Sequence, residues 1–474
     1  MSAETIWIAG AWEAAVRTSE RTDPSAPERL TGAYARATAD DVARAFAAAA
    51  AAQPAWAATS AQARGELLRH TADLLERHAE AATERLIADI GKARRDARAE
   101  VLRGVAILRY YAGEVLQHNG ESYPSVDPST LLLTLEEPVG VVGAITPWNF
   151  PVAIPLWKLA PALAFGNAIV WKPADAAAGS AVLLARLLEE AGIPPGVLNL
   201  VTGSGRELSA AITGAPQLAA LTFTGSAEVG LDLRTALARR TVKLQLELGG
   251  KNPAIVLTDA DLPDAAEQIA RGAMGSTGER CTATSRAYVQ RGVYDDFLAL
   301  LLERVGALRV GDPYDEATDV GPPASAEQRR TIERYLALAL AGEATIACGG
   351  GWDGPCVQPT VLTDVAPASA LLREEIFGPV LCVVPIDDFE DGIARANDTE
   401  FGLSSAIFTR DLATALAFAR RTESGLVHIN RETAGVEPHV PFGGLKGSSS
   451  LQREQGTAAR QFFTNTKTVY VRPR

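Results

Sequence analysis

Between Val139 and Leu246 the chain repeats one pattern: a short apolar run, a turn, then a stretch with helical spacing. The spacing predicts strands at 139–146, 167–171, 197–201, 218–222 and 241–246. Helices are predicted between them at about 153–164, 178–191, 205–213 and 227–239. Strands that alternate with helices build a parallel, doubly wound sheet with right-handed crossovers. Such a sheet binds ligands beyond the carboxyl ends of its strands. The residues that follow each predicted strand are therefore the first candidates for function.

Four of these strand ends carry chemistry. Thr146-Pro147-Trp148-Asn149-Phe150-Pro151 offers a side-chain amide able to donate to a developing oxyanion, or is a Pro-bounded loop that packs aromatics. Trp171-Lys172-Pro173-Ala174-Asp175 offers an ammonium and a carboxylate to a nucleotide ribose, or is a solvated turn. Phe223-Thr224-Gly225-Ser226-Ala227-Glu228-Val229-Gly230 leads from a strand into a helix, where a pyrophosphate would sit on backbone amides, or is a plain Gly-capped turn. Leu246-Glu247-Leu248-Gly249-Gly250-Lys251 ends an apolar strand with a carboxylate. That glutamate is a general base with a raised pKa, or it pairs with Lys251.

Outside this core, Thr38 and Asp41 form a capping-box pattern that opens an Ala-rich helix expected to end near Ala52, short of Pro54. Further helices are expected at 61–78, 80–90 and 97–118. Residues 1–35 read as an irregular edge with short strands. Leu131 to Leu135 is an apolar strand with little alternation, which needs cover. A second strand–helix alternation runs from 254 to about 430, and 462–471 is β-like again.

A chain of 474 residues is too long for one simple core. Its 47% hydrophobic and 22% charged residues are those of an ordinary globular protein. A net charge of -12 and the lack of a basic run argue against nucleic acid as a partner. The N-terminal residues do not form a signal peptide, and the apolar runs are too short to span a bilayer. Cys281, Cys348, Cys356 and Cys382 have neither a metal spacing nor a disulfide framework, and the five histidines have no metal spacing. No metal is expected, and a reducing, cytoplasmic setting fits.

Cys281 stands in Gly278-Glu279-Arg280-Cys281-Thr282-Ala283-Thr284-Ser285-Arg286. Arginines beside a thiol favour the reactive thiolate. A lone cysteine is otherwise a small buried hydrophobe.

Asn149, Glu247 and Cys281 occur in that order with Glu374-Glu375-Ile376-Phe377-Gly378-Pro379, Asn397 to Leu403, and Pro441-Phe442-Gly443-Gly444-Leu445-Lys446-Gly447 downstream. This set resembles the NAD(P)-dependent aldehyde dehydrogenase superfamily over nearly the whole chain. The resemblance implies an α/β fold with a Rossmann-type cofactor domain (1–120 and 138–246) and an α/β catalytic domain (247–440). A small β oligomerisation arm (121–137 and 455–474) completes it, with homodimers or homotetramers as the assembly. It implies that Cys281 attacks the aldehyde, Asn149 holds the oxyanion and Glu247 activates the hydrolytic water, while Lys158 serves a proton relay or only packs its stem. Ile145, Thr146, Trp148, Lys172, Asp175, Gly205, Gly225, Ser226, Glu375 and Phe377 match cofactor positions. The acidic Asp175 favours NAD over NADP. Phe150, Ile154, Trp157, Arg280, Thr282, His439 and Phe442 are expected around the aldehyde, with His439 also readable as a packed loop residue.

Glu279 departs from the glutamine usual in the family; a carboxylate there works to raise the Cys281 thiol pKa and opposes Arg280, and the sequence leaves open which of the two prevails. The runs Val436 to Phe442, Arg453 to Gly456 and Arg280 to Arg286 resemble the branch that contains α-ketoglutaric semialdehyde dehydrogenases. Arg280 is then the candidate partner of a substrate carboxylate, or it only supports the loop. Three alternatives stay open: a CoA-acylating enzyme, a broad-range aliphatic or aromatic aldehyde dehydrogenase, and a catalytically silent binding or structural relative.

Overall fold

A computed structural model describes residues 4–117 and 119–472. The expected helix end at His118, the first three residues of the N-terminal edge and the last two of the expected arm lie outside the described residues.

The strand–helix alternation produces a seven-stranded sheet. Its order is Lys243–Glu247, Leu218–Thr224, Val141–Thr146, Ala168–Pro173, Leu198–Leu200, Glu4–Ile8 and Ala11–Ala14. The first five are parallel and the last two form an antiparallel edge. Register decides what the sheet can do. Ile145 lies opposite Lys172 on one side and Phe223 on the other, and Thr224 lies opposite Glu247. All the chemistry-bearing strand ends therefore open on one edge, as a parallel sheet requires.

The second alternation gives another seven-stranded sheet, ordered Thr345–Cys348, Thr360–Thr363, Val380–Ile386, Thr284–Gln290, Asn252–Val256, Ser404–Phe408 and Leu426–Ile429. Only the Thr345–Cys348 edge is antiparallel. Both edges of the apolar strand at Leu131 are paired within the chain, while Leu131 and Leu135 stay exposed on its face. Thr464–Val471 pairs with all of Leu131–Pro138, and Ser122–Tyr123 lies on the other side. Helix Gly456–Phe463, just before that strand, buries Phe462 and Phe463 in the first core.

Two helix ends differ from expectation. Helix Ala39–Ala58 opens with the reciprocal Thr38–Asp41 capping box but runs on through Pro54. Proline gives up one backbone bond. Trp56 offsets that loss, being buried with its indole N–H donating to the Leu163 carbonyl at 3.1 Å. The helix expected at 97–118 spans Arg94–Glu114. One turn inside it, Glu100 accepts the amides of Val152 (2.8 Å) and Ala153 (3.1 Å). These are orphan donors of helix Ala153–Ala164, which has no cap of its own. Glu100 also pairs with Lys92, whose ammonium donates to the Asn149 carbonyl at 2.7 Å and sits 3.7 Å from the centre of the Phe150 ring. Buried charge from one helix thus locks the Asn149 loop against the sheet. No helix among the described residues is long and apolar enough to cross a membrane.

Candidate active site

The Cys281 loop is built on strained backbone. Ser276 (φ 50°), Thr277 (φ 57°) and Gly278 (φ 66°) are left-handed in succession. Such a run is costly for residues with a side chain and needs tethers. Asp96 supplies them, accepting the Ser276 amide at 2.7 Å and its hydroxyl at 2.9 Å. Gly278 is required sterically as well, because a Cβ there would lie 2.3 Å from the Gly378 backbone. The loop delivers Cys281 to the wall of a cavity of about 620 Å3, shared with Phe150, Ile154, Trp157, Arg280, Thr282 and Phe442. Trp157 and Phe442 pack against each other with ring centroids 5.5 Å apart and planes tilted by 32°. His439 does not line this cavity. It is exposed beside Glu437 at 3.5 Å, because the loop carries it to the surface.

Asn149 is buried, and its side-chain amide donates to the Glu279 carbonyl at 3.0 Å. That contact holds it two residues from the thiol and leaves its second N–H unspent. Glu247 ends its strand 1% exposed. Its Oε1 accepts from the Ser449 hydroxyl at 2.8 Å, and its buried Oε2 has no partner among the described residues. It makes no pair with Lys251. Burial, reinforced by the charge of Glu454, pushes the Glu247 carboxyl well above the usual range. Glu454 is itself paired with Lys158, and both are fully enclosed. Lys158 donates to the Thr222 hydroxyl at 2.9 Å, and Thr222 donates to Gln245 at 2.8 Å. A continuous polar chain therefore runs beneath Glu247. Glu454 and Ser449 had no signal in spacing: Glu454 meets Lys158 across 296 positions.

The arginines do not activate the thiol. Cys281 is partly exposed, yet burial pushes its thiol up to about 12, with the carboxylates of Glu375, Glu247 and Glu454 adding to the effect. Only the Thr282 amide works the other way. Arg286 is turned into the second sheet, donating to the carbonyls of Lys251 (2.6 Å) and Ala396 (3.2 Å). Arg280 is drawn to Asp96 (3.6 Å) and Glu432 (3.7 Å). Glu279 accepts from the Ala324 amide at 3.0 Å, and burial pushes its carboxyl well above the usual range; besides burial, the groups that raise the thiol are Glu375, Glu247 and Glu454.

At the open edge of the first sheet, Lys172 is 5% exposed and its ammonium has no hydrogen-bond partner among the described residues. Burial pulls its pKa down. Gly205 keeps the space beside it open, since a Cβ there would stand 3.5 Å from the Lys172 Nζ. Asp175 pairs with Arg21 at 3.2 Å. Ser226 caps helix Ala227–Leu237. The amide of Gly225 is already donated to the Glu247 carbonyl at 3.1 Å, so its contribution to this corner is space rather than a donor. Trp148 and Phe377 meet edge to face at 5.4 Å. Glu375 accepts the Gly250 amide at 2.9 Å, and burial raises it to about 7. A thiol, an amide held at the carbonyl of Glu279, and a buried carboxylate with one unpartnered oxygen thus belong to one site, with the Lys172 ammonium at the open edge of the first sheet.

The family model for the aldehyde dehydrogenase family matches residues 12–469. The chain belongs to the aldehyde dehydrogenase family. It is 44% identical to an alpha-ketoglutaric semialdehyde dehydrogenase of Bacillus subtilis over 95% of this chain and 94% of that protein. Among solved structures, an NAD-dependent aldehyde dehydrogenase of Sinorhizobium meliloti superposes with a TM-score of 0.96 at 35% identity, covering 99% of this chain and 95% of that one. A betaine aldehyde dehydrogenase of Staphylococcus aureus in complex with NAD+ gives 0.95 at 33%, covering 100% and 95%. The family's activity is aldehyde oxidation, and the fold expected by resemblance is the one observed.

Proposed function

We propose that this enzyme oxidises an acidic semialdehyde of the α-ketoglutaric semialdehyde type to the carboxylate, with NAD+ as oxidant and water as the acyl acceptor. The names of its relatives support the substrate class and the cofactor. The observation that carries the hydrolytic reading is the Glu247 Oε2: a buried carboxylate oxygen of raised proton affinity that no protein group satisfies. A base of this kind takes a proton from the thiol and later from water.

The residues act in sequence. Cys281 Sγ gives its proton to Glu247 and bonds to the carbonyl carbon. The oxygen of the resulting thiohemiacetal carries negative charge, which the unspent Asn149 N–H and the Cys281 amide hold. The tetrahedral carbon would give up its hydride to NAD+, which supplies the oxidant when bound; an acyl group then remains on Cys281, and Glu247 passes the thiol's proton on to solvent before the second half-reaction. Glu247 takes a proton from water, the oxygen bonds to the acyl carbon, and the Cys281 C–S bond breaks to release the acid. Lys158 and Glu454 keep the surroundings of Glu247 charged and ordered. Lys172 and Asp175 would hold the adenosine ribose, Ser226 and Gly225 the pyrophosphate corner, and Glu375 and Phe377 the nicotinamide ribose. Asp175 disfavours a 2′-phosphate, while Arg21 beside it softens that penalty, so NADP is taken as the weaker cofactor. Residues 121–137 with Thr464–Val471 form the arm through which copies of the chain associate.

NADH formation over an aldehyde panel, with and without CoA, tests this reading. Turnover without CoA, lost in Cys281→Ala, is expected. Glu247→Gln is expected to release about one NADH per site and then stall, since acylation can borrow a solvent base but hydrolysis cannot. A strict CoA requirement, or activity in Cys281→Ala, overturns it.

A further inference from the structure

Five arginines line the cavity in front of Cys281: Arg95, Arg103, Arg271, Arg280 and Arg304. Four of them have a protein carboxylate. Arg95 pairs with Asp319 at 2.6 Å, Arg271 with Glu432 at 3.0 Å and Arg304 with Glu267 at 3.5 Å. Arg280 lies between Asp96 and Glu432. Arg103 makes no hydrogen bond or ion pair among the described residues. Nor is a partner to spare nearby. Glu100, one turn before it on helix Arg94–Glu114, is consumed by Lys92 and two backbone amides. Glu432 already faces two arginines.

A guanidinium always carries its charge, and enclosing it without a counter-ion costs free energy. Burial and the positive charge of Arg280 press against the charge on Arg103, and the more distant charges of Glu100 and Glu432 offset them only in part. Its planar fork matches a carboxylate in bidentate fashion. Among the described residues, Arg103 is thus the one arginine of the cavity wall that makes no direct ion pair, and its fork is free for a carboxylate in the chamber that Cys281 lines.

We infer that Arg103, and not Arg280, receives the carboxylate of the substrate and sets the enzyme's preference for acidic over neutral aldehydes. This assignment rests on the acidic-semialdehyde reading above. Arg280 instead holds the Cys281 loop by bridging Asp96 and Glu432, so its removal affects every aldehyde alike. Arg103 affects only those with a distal anion.

The test compares succinic semialdehyde and α-ketoglutaric semialdehyde with butanal and pentanal in the native enzyme, Arg103→Gln, Arg103→Lys and Arg280→Gln. Arg103→Gln is expected to raise KM for the acids roughly ten- to a hundredfold. The neutral aldehydes should stay within about twofold, with kcat little changed. Lysine, a charge without the fork, should recover part of the loss. Glutarate should inhibit the native enzyme competitively and lose that inhibition in Arg103→Gln, a readout that a merely structural role would not move. If the native enzyme prefers acids and Arg103→Gln keeps that preference, the assignment to Arg103 is overturned alone. Loss of the preference in Arg280→Gln only would return the role to Arg280. A native enzyme with no preference for acids overturns the acidic-substrate reading itself.

Discussion

Replacing Lys158 by methionine isolates the buried charge beneath Glu247. The Lys158 and Glu454 side chains are 0% and 1% exposed, so neither is screened by solvent. At hydrogen-bonding separation and an effective dielectric near 20, their attraction is on the order of 5 kcal/mol. Desolvation of the two charges offsets much of that, so the pair contributes little net stability. Removing one partner is different, because Glu454 keeps its burial and loses its cation. The Thr222 hydroxyl still donates to Gln245 at 2.8 Å, so no second group is orphaned. Lys158→Met should therefore cost about 3–5 kcal/mol. Lys158→Met/Glu454→Met, which removes both charges at similar volume, should return to within about 2 kcal/mol of the native chain. Urea unfolding followed by intrinsic fluorescence reads both shifts, provided the slopes agree. A cost below about 1 kcal/mol for the single variant, or a double variant as damaged as the single, would refute the claim that Glu454 depends on Lys158.

Three further outcomes are expected. Cys281, with its thiol near 12, should react with iodoacetamide at pH 8 roughly a thousandfold more slowly than an unperturbed cysteine, as read by peptide mass spectrometry on ligand-free enzyme; titration of this thiol near 9 would contradict the account. Glu375, raised to about 7, contributes stability below its unfolded value near 4.5 and loses it as pH rises through 7. NAD+ affinity should follow the opposite course, strengthening through pH 7 as the carboxylate becomes able to accept ribose hydroxyls, and calorimetry should find both steps absent in Glu375→Gln. Leu131 (54% exposed) and Tyr470 (71%) stand on the arm sheet. Leu131→Glu/Tyr470→Glu should shift the assembly toward monomer by light scattering, and an unchanged mass would remove these residues from the interface.

Local pattern determined much of this protein. Alternating apolar and helical runs specified the first parallel sheet, and the Thr38–Asp41 box specified a helix start, because both depend on neighbours in the chain. The order of Asn149, Glu247 and Cys281, with the motifs downstream, was enough to carry the family resemblance. Direction was not legible. Arg280 and Arg286 read as activators of the thiol, yet one bridges Asp96 and Glu432 and the other points into the second sheet. His439 read as a wall residue and lies outside. Pro54 read as a stop, and the packing of Trp56 overrode it. What only the tertiary structure decided is which charges meet. Lys158 finds Glu454 across 296 positions, while Arg103 makes no direct ion pair among the described residues, the nearby Glu100 and Glu432 being engaged by other cations. Backbone pattern acts over a few residues, but the state of a charge depends on every group folded against it.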